Sequence, residues 1–315
     1  MKKSIYTLLI AMIFLFTACS RNIPEAKPKP NVEIDTNKQI SLNIITTNKL
    51  LYNMVKDIVK DRHSISYMFA SKDRLWNFNF TDDSINNISK KDLFFYWGSS
   101  FEPWGSNLVD KLSKTKVGPI DISRGVKLIG YDSEVKYKDT VINDNPSFWM
   151  NIDNYKIAML NIKNAIEDKD TKDRDYYENN FSKHIKDVEA YQKKLKEAAD
   201  SLKDYTYVVE GDSLDYFVKY YGFKVLKVHN LTADNTGNFA SDNKSVYDKI
   251  KSLNNSNNVV FLFDEESKLA SQAQLISELK LKTVSIISYK DDIKYLDILD
   301  HNLKAFQEIN PSVKQ

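Results

Sequence analysis

The sequence predicts an α/β protein of two lobes, each a central parallel β-sheet flanked by helices, joined by one long rigid backbone helix. Three observations predict it. Short apolar, β-prone runs alternate with helical stretches through both halves of the chain, the rhythm of parallel strands with crossover helices. Between the halves, apolar residues recur at spacings of three and four from Tyr177 through Phe181, Ile185, Val188, Tyr191, Leu195 and Ala198 to Leu202, one face of a single helix. The 315 residues are enough to build two cores.

Taken in order, the chain opens on Lys2 and Lys3, an apolar run from Ile5 to Phe16, and small residues Thr17 and Ala18 ahead of Cys19, the one cysteine present. A basic head, an apolar stretch too short to span a bilayer and small residues before the cut are the features of a cleaved secretory segment. Phe16-Thr17-Ala18-Cys19 resembles the bacterial lipobox, with phenylalanine where leucine is usual. The resemblance implies cleavage after residue 18, lipidation of Cys19, and an extracytoplasmic protein anchored to the cell membrane. A lone thiol forms no internal disulfide, so the exported fold must stand on its core. Residues 19–40 are polar, carry Pro24, Pro28 and Pro30, and read as a flexible linker.

Residues 41–152 form the predicted N-terminal lobe. Its strands are Leu42–Thr47, Ser64–Phe69, Leu93–Trp97 and Val117–Ile122, with helices Asn48–Lys60, Asp82–Lys90 and Pro103–Leu112 between them. Residues 153–203 are connecting helices, Asp153–Glu167 and the long Asp173–Leu202, which would extend roughly 45 Å. The C-terminal lobe, residues 204–315, repeats the first rhythm. Strands are predicted at Tyr205–Val209, Lys224–Val228, Val259–Phe263 and Thr283–Ile287, and helices at Leu214–Tyr221, Lys244–Leu253, Ser267–Leu279 and Asp291–Gln307. Ligands of such sheets sit at the carboxyl ends of the strands, here facing across the cleft between lobes.

Composition excludes several functions. Without the two lysines of the leader, basic and acidic side chains are equal in number at 43 each, which denies nucleic acid the basic face it needs. Eight glycines and no G-x-G-x-x-G or Walker-type run leave no phosphate-cradling loop. No nucleophile elbow and no histidine beside a serine or aspartate in a catalytic motif supports an enzyme. The acidic runs Asp82-Asp83, Asp264-Glu265-Glu266 and Asp291-Asp292 lie at predicted helix starts, where the dipole favours acids.

A resemblance covers nearly the whole mature chain. It rests on Ile45-Thr46-Thr47 with Leu51-Tyr52, Lys91-Asp92-Leu93-Phe94-Phe95-Tyr96, Phe101-Glu102-Pro103-Trp104 and the run from Ile122 to Ile129. It continues through Asn145-Pro146-Ser147-Phe148-Trp149, Asp175 to Asn180 and Tyr220-Tyr221-Gly222-Phe223. In order and spacing these segments resemble the solute-binding lipoproteins of zinc and manganese ABC transporters. The resemblance implies a two-lobed fold with a rigid bridging helix, a divalent zinc or manganese cargo and a partner ABC permease subunit; a monomer is expected. Its members bind the ion with histidines and a carboxylate, donors suited to both metals.

The aligned positions here are Trp76, Ser147, Gly211 and, at the end of the last strand, Ile287. All four donors of the family are absent, so no metal ligand and no cofactor is assigned. His63, His184, His229 and His301 do not pair at ligand spacing and are expected at surfaces or edges. Trp76, Phe78, Trp97 and Trp149 map to loops and strand ends that face the cleft in the family, opposite Glu210, Asp212, Asp264 and Glu265. Aromatic faces opposite carboxylates would suit an organic cation or an amphipathic small molecule. The alternatives are tryptophans that merely fill the space the ion vacated, and a carboxylate-only site for a hard metal at Glu210, Asp212 and Asp264. The expected function is a solute-binding lipoprotein of the metal-uptake class with a degenerate metal site; the rival is a non-transporting surface lipoprotein for adhesion, signalling or partner binding.

Overall fold

The structure is a computed structural model, and it describes residues 40–228, 241–255 and 258–310. The signal segment, Cys19 and His229 lie outside the described residues. In the first half, β1 (Asn43–Asn48), β2 (Ser64–Phe69), β3 (Leu93–Tyr96) and β4 (Gly118–Asp121) form a parallel sheet in the order β2-β1-β3-β4. In the second, β7 (Thr206–Glu210), β8 (Lys224–Val228), β9 (Val259–Phe263) and β10 (Lys282–Ser285) are parallel in the order β10-β9-β7-β8. Read from its other edge, the second sheet is 8-7-9-10, the same winding as the first. Each winding reverses between its first and third strands, so ligand-bearing crevices are expected beyond Asn48 and Tyr96, and beyond Glu210 and Phe263.

The predicted elements are found with shifts of a few residues, and four features differ. A hairpin of β5 (Gly130–Tyr137) and β6 (Thr140–Asp144) follows β4. A five-residue helix, α2 (Lys72–Trp76), follows α1 (Lys49–Val59) and β2. After α3 (Asp82–Ser89), α4 (Gly105–Leu112), α5 (Ile152–Lys169), α6 (Arg174–Asp200), α7 (Asp215–Tyr221) and α8 (Ser241–Asn254), the stretch predicted as one helix is broken at Gln272 into α9 (Glu266–Ser271) and α10 (Ala273–Leu279). The last helix, α11 (Tyr295–Ile309), starts later than its acids suggest. Those acids serve packing across the molecule: Asp291 accepts from the Lys72 N–H at 3.2 Å and Asp292 pairs with Lys49 at 2.7 Å. Asp82 and Asp83 do sit in the first turn of α3, and Glu266 in that of α9.

The 27-residue helix α6, about 40 Å long, is the spine. Its first half is bolted to the first sheet's side. Tyr177 Oη donates to Asp170 Oδ2 at 2.7 Å and lies 2.7 Å from His63 Nε2. His184 Nε2 lies 2.8 Å from Tyr155 Oη, and Asn180 donates to Ile58 O at 2.8 Å. Its second half reaches the other side, where Tyr191 donates to Asp300 at 3.2 Å and Gln192 to Tyr220 Oη at 2.5 Å. His63 and His184 are therefore buried cross-braces rather than surface residues. His301 is half-buried, with Nε2 3.1 Å from Ser285 O.

One hydrophobic cluster runs from Leu42 to Ile309 and takes in both sheets, and the described residues form a single compact unit. The lobes share a core. The structure differs here from an open cleft lined by aromatic faces, because the aromatic residues at the junction fill it.

Candidate functional site

At the junction, Trp97 is 0% exposed and Trp149 is 1% exposed, their ring centroids 4.5 Å apart. Phe101, Phe148 and Tyr289 close around them. Trp149 Nε1 donates to Ser288 O at 2.8 Å, and Tyr295 Oη donates to Trp149 O at 2.8 Å. Tyr295 in turn stacks on Tyr155, centroid to centroid 3.4 Å. For Trp97 and Trp149 the sequence left two readings, a face for a ligand or filling of the junction; both are turned into the core, since large apolar rings at a shared core gain most by leaving water.

The positions aligned with metal ligands are held in several ways. Trp76 is half-buried at the end of α2 and packs edge-on against Tyr137, 5.8 Å away. Ser147 is half-buried, its N–H given to Asn145 Oδ1 at 3.0 Å. Gly211 has φ +68°, and a Cβ added there would meet nothing within 4 Å, so the space of the missing side chain is open. The Ile287 backbone is clasped by Asn302, which accepts its N–H at 2.9 Å and donates to its carbonyl at 3.2 Å. The segment 145–149 is brought against both second-half loops, since Asn145 Nδ2 also donates to Asp212 O at 2.6 Å.

The second-half carboxylates do gather at the strand ends, but each is engaged by the protein. Glu210 accepts from Ser271 Oγ at 2.5 Å and Gln272 Nε2 at 3.1 Å. Asp264 is paired with Lys268 at 2.6 Å and accepts from Ser288 Oγ at 2.7 Å. Glu265 is exposed and accepts from Ser267 Oγ at 3.5 Å. Asp212 Oδ2 accepts from the N–H groups of Asp132 and Ser133 and from Ser133 Oγ at 3.0 Å.

Oxygens of Asp132, Asp212 and Asp215 lie within 4.8 Å of one another, the geometry of a hard-metal site. Lys227 already occupies it. Its Nζ lies 2.7 Å from Asp212 Oδ1 and 2.8 Å from Asp215 Oδ2, and it contacts Asp132 as well. Burial alone would raise the Asp212 pKa, yet hydrogen bonds from Lys227 and Ser133 hold it below the usual range. The Lys227 pKa is raised by its three carboxylates against the opposing effect of burial. Nothing in the sequence around Lys227 marks this role; it is a lysine in a β-strand until the fold places β8 beside β7.

A second acidic place lies beyond β3. Glu102 is 4% exposed, and its carboxylate accepts from Thr47 Oγ1 at 2.5 Å and from the N–H groups of Trp97 and Gly98 at 3.1 and 3.2 Å. Burial pushes its pKa up to about 7 against those hydrogen bonds. The two cross-bracing histidines shift the other way. Burial lowers the pKa of both from 6.5, and the carboxylates of Asp170 beside His63 and Asp57 beside His184 only partly offset it.

A pH dependence follows with two opposed signs. The unfolded chain takes up the histidine protons near pH 6.5 and the folded one only at lower pH, so this stability is complete above pH 6.5 and lost as the pH falls below it. Each histidine contributes a slope of up to about 1.4 kcal/mol per pH unit. The Glu102 contribution is complete below pH 4.5 and lost as the pH rises through about 7. Urea midpoints should fall on acidification below neutrality, two groups outweighing one. The double variant His63→Asn, His184→Asn should flatten or reverse that slope; an unchanged slope would refute the assignment.

The described residues include no helix long and apolar enough to cross a membrane. Comparison with known proteins is consistent along the chain. The family described as ZnuA, zinc-uptake complex component A periplasmic, matches residues 44–309. The high-affinity zinc uptake system protein ZnuA of Bacillus subtilis is 25% identical over 317 residues, covering 95% of both chains. The manganese ABC transporter substrate-binding lipoprotein PsaA of Streptococcus pneumoniae is 25% identical over 295 residues, covering 90% of this chain and 86% of that one. The crystal structure of the metal-dependent lipoprotein YcdH from Bacillus subtilis superposes with a TM-score of 0.68 at 22% identity, covering 85% of this chain and 99% of that one.

Proposed function

Because the chain belongs to the family of zinc-uptake periplasmic components, we propose that it is the extracytoplasmic solute-binding lipoprotein of an ABC transporter of the metal-uptake class, lipidated on Cys19, docking on a permease subunit, and no longer holding its cargo through the inherited metal site. One observation carries the last part. The four aligned positions present an indole, a hydroxyl, a hydrogen and an aliphatic chain, none of them a donor set for zinc or manganese. The nearby carboxylates do not stand in. Glu210 is engaged by Ser271 and Gln272, Asp264 by Lys268 and Ser288, and Asp212 by Lys227, so an ion entering at Asp212 or Asp264 would have to displace a lysine ammonium already paired.

The test is titration calorimetry with zinc and with manganese on residues 40–315, with elemental analysis of the purified protein. The expected result is no stoichiometric binding of either metal at micromolar affinity. A one-to-one complex tighter than about 1 μM, roughly −8 kcal/mol, would refute the reading. Trp76→His is expected to leave this unchanged, since one imidazole does not make a site.

The rival reading, a surface lipoprotein that transports nothing and uses the scaffold for adhesion or partner binding, is favoured by the buried Trp97–Trp149 cluster at the lobe junction. Loss of the protein would slow solute uptake under the first reading and leave it unchanged under the second.

A further inference from the structure

One cavity among the described residues has none of the four aligned positions in its lining, although Tyr137 on its wall packs against Trp76. It is a groove of about 710 Å³ at the carboxyl ends of β3 and β4, within the range of small-molecule sites. Its floor carries Tyr96, Glu102 and Asp121; Phe78, Trp104 and Tyr137 supply aromatic walls from three separate segments. These walls are braced. Phe78 and Trp104 meet edge to face with centroids 5.0 Å apart, and Trp104 Nε1 donates to Leu75 O at 2.7 Å.

The floor differs from the acidic places at Asp212, Asp215 and Asp264 in one respect. Asp212 and Asp215 have Lys227, and Asp264 has Lys268. Glu102 and Asp121 have no lysine, arginine or histidine within ion-pair distance among the described residues, although Glu102 is almost wholly buried. The two acids are close neighbours: Gly98, whose N–H binds Glu102, has its Cα so near Asp121 that a Cβ would fall 2.1 Å from Asp121 Oδ1. The one lysine on the groove wall, Lys138, is tied to Asn79 at 2.9 Å and lies over the Tyr137 ring at the rim. Ser99 Oγ, also on the groove wall, is buried without a hydrogen-bond partner. The loop that presents it, Gly98-Ser99-Ser100, holds three successive positive φ values of 69°, 42° and 64°. Two of these are on serine, a strain that persists only where surrounding structure enforces it.

We propose that this groove is a binding site for a small organic cation, an ammonium or guanidinium compound whose charge meets Asp121 and Glu102 while its carbon skeleton lies against Phe78, Trp104 and Tyr137. A carboxylate held out of water without a counter-charge favours a cation entering beside it, and aromatic faces add cation–π attraction. Ser99 Oγ is placed to take a donor or acceptor of the ligand. The site stands whatever the junction between the lobes carries.

The test uses residues 40–315, titrated by calorimetry with choline, spermidine and arginine amide as cations, and with 3,3-dimethylbutan-1-ol as the uncharged isostere of choline. The expected result is saturable binding of at least one cation, with the choline arm at least tenfold tighter than its isostere if choline is the one bound. Asp121→Asn should weaken binding tenfold or more. Ser106→Trp, on the exposed first turn of α4 at the groove wall, should abolish it while leaving the thermal midpoint unchanged. No binding of any cation at 10 mM, equal binding of choline and its isostere, or binding insensitive to both variants would overturn the proposal. So would selective binding of calcium, zinc or manganese that Asp121→Asn abolishes, since that would make the acids a metal site.

Discussion

Lys227→Met is expected to lower the unfolding free energy by about 3–5 kcal/mol, the cost of leaving buried charges without their partner. The side chains of Asp212 and Asp215 are 3% and 0% exposed, and the lysine is their shared counter-ion; Asp215 keeps a second, longer pair with Lys219 at 3.3 Å, while Asp212 keeps no cation but Lys227 among the described residues. Methionine keeps most of the stem and removes the ammonium with its hydrogen bonds. Urea denaturation at neutral pH would measure the loss. Acidification should recover part of it, because protonated aspartates no longer need the ammonium. A loss below about 1 kcal/mol would place the cluster among solvated surface pairs. The same variant should loosen the β5–β6 hairpin, since it removes the Lys227 link between Asp132 and the second sheet and leaves only the bonds from Asp132 N–H and Ser133 to Asp212. Hydrogen exchange at Asp132 and Ser133 would then rise more than in the sheets.

Trp149→Ala is expected to cost a similar 3–5 kcal/mol, by lost apolar burial and the cavity left behind. The indole touches Trp97, Phe101, Phe148 and Tyr289, and its N–H holds Ser288. Trp149→Phe separates the two contributions. It keeps a ring in place but removes the bond to Ser288, and should cost about 1 kcal/mol from that bond plus a smaller packing term. If alanine and phenylalanine cost the same, the bond and not the packing fastens the junction. Small-angle scattering of the alanine variant would show whether the halves separate once the plug is gone.

Both features bear on what was legible in the sequence. The strands were, because runs such as Val259–Phe263 are apolar throughout and buried on both faces. The spine was legible from its spacing of three and four. The β5–β6 hairpin was not: most of its strand residues are exposed, and its turn uses Lys138 at φ 53° where glycine or asparagine would have signalled it. Helix α2 is too short to show a period. At the candidate site, sequence reading located the strand ends and the residue types there. It could not show that Lys227 neutralises Asp212 and Asp215, because pairing across neighbouring strands depends on the fold; the Asp264–Lys268 pair, four residues apart, was within its reach. Nor could it show which acids lack a cation. Glu102 looked like one member of a resemblance motif; only its surroundings make it a buried carboxyl with hydrogen-bond donors and, among the described residues, no cation beside it.

The spine has a consequence for how such a molecule could report its state. With α6 braced to both sheets, Trp149 locked to Ser288 and Tyr155 stacked on Tyr295, the halves have little freedom to swing about a hinge. A receptor of that build keeps the same silhouette empty or full. A membrane partner would then have to distinguish the two by surface potential near the groove mouth, where a bound cation adds a positive charge beside Asp121 and Glu102, and not by a change of outline.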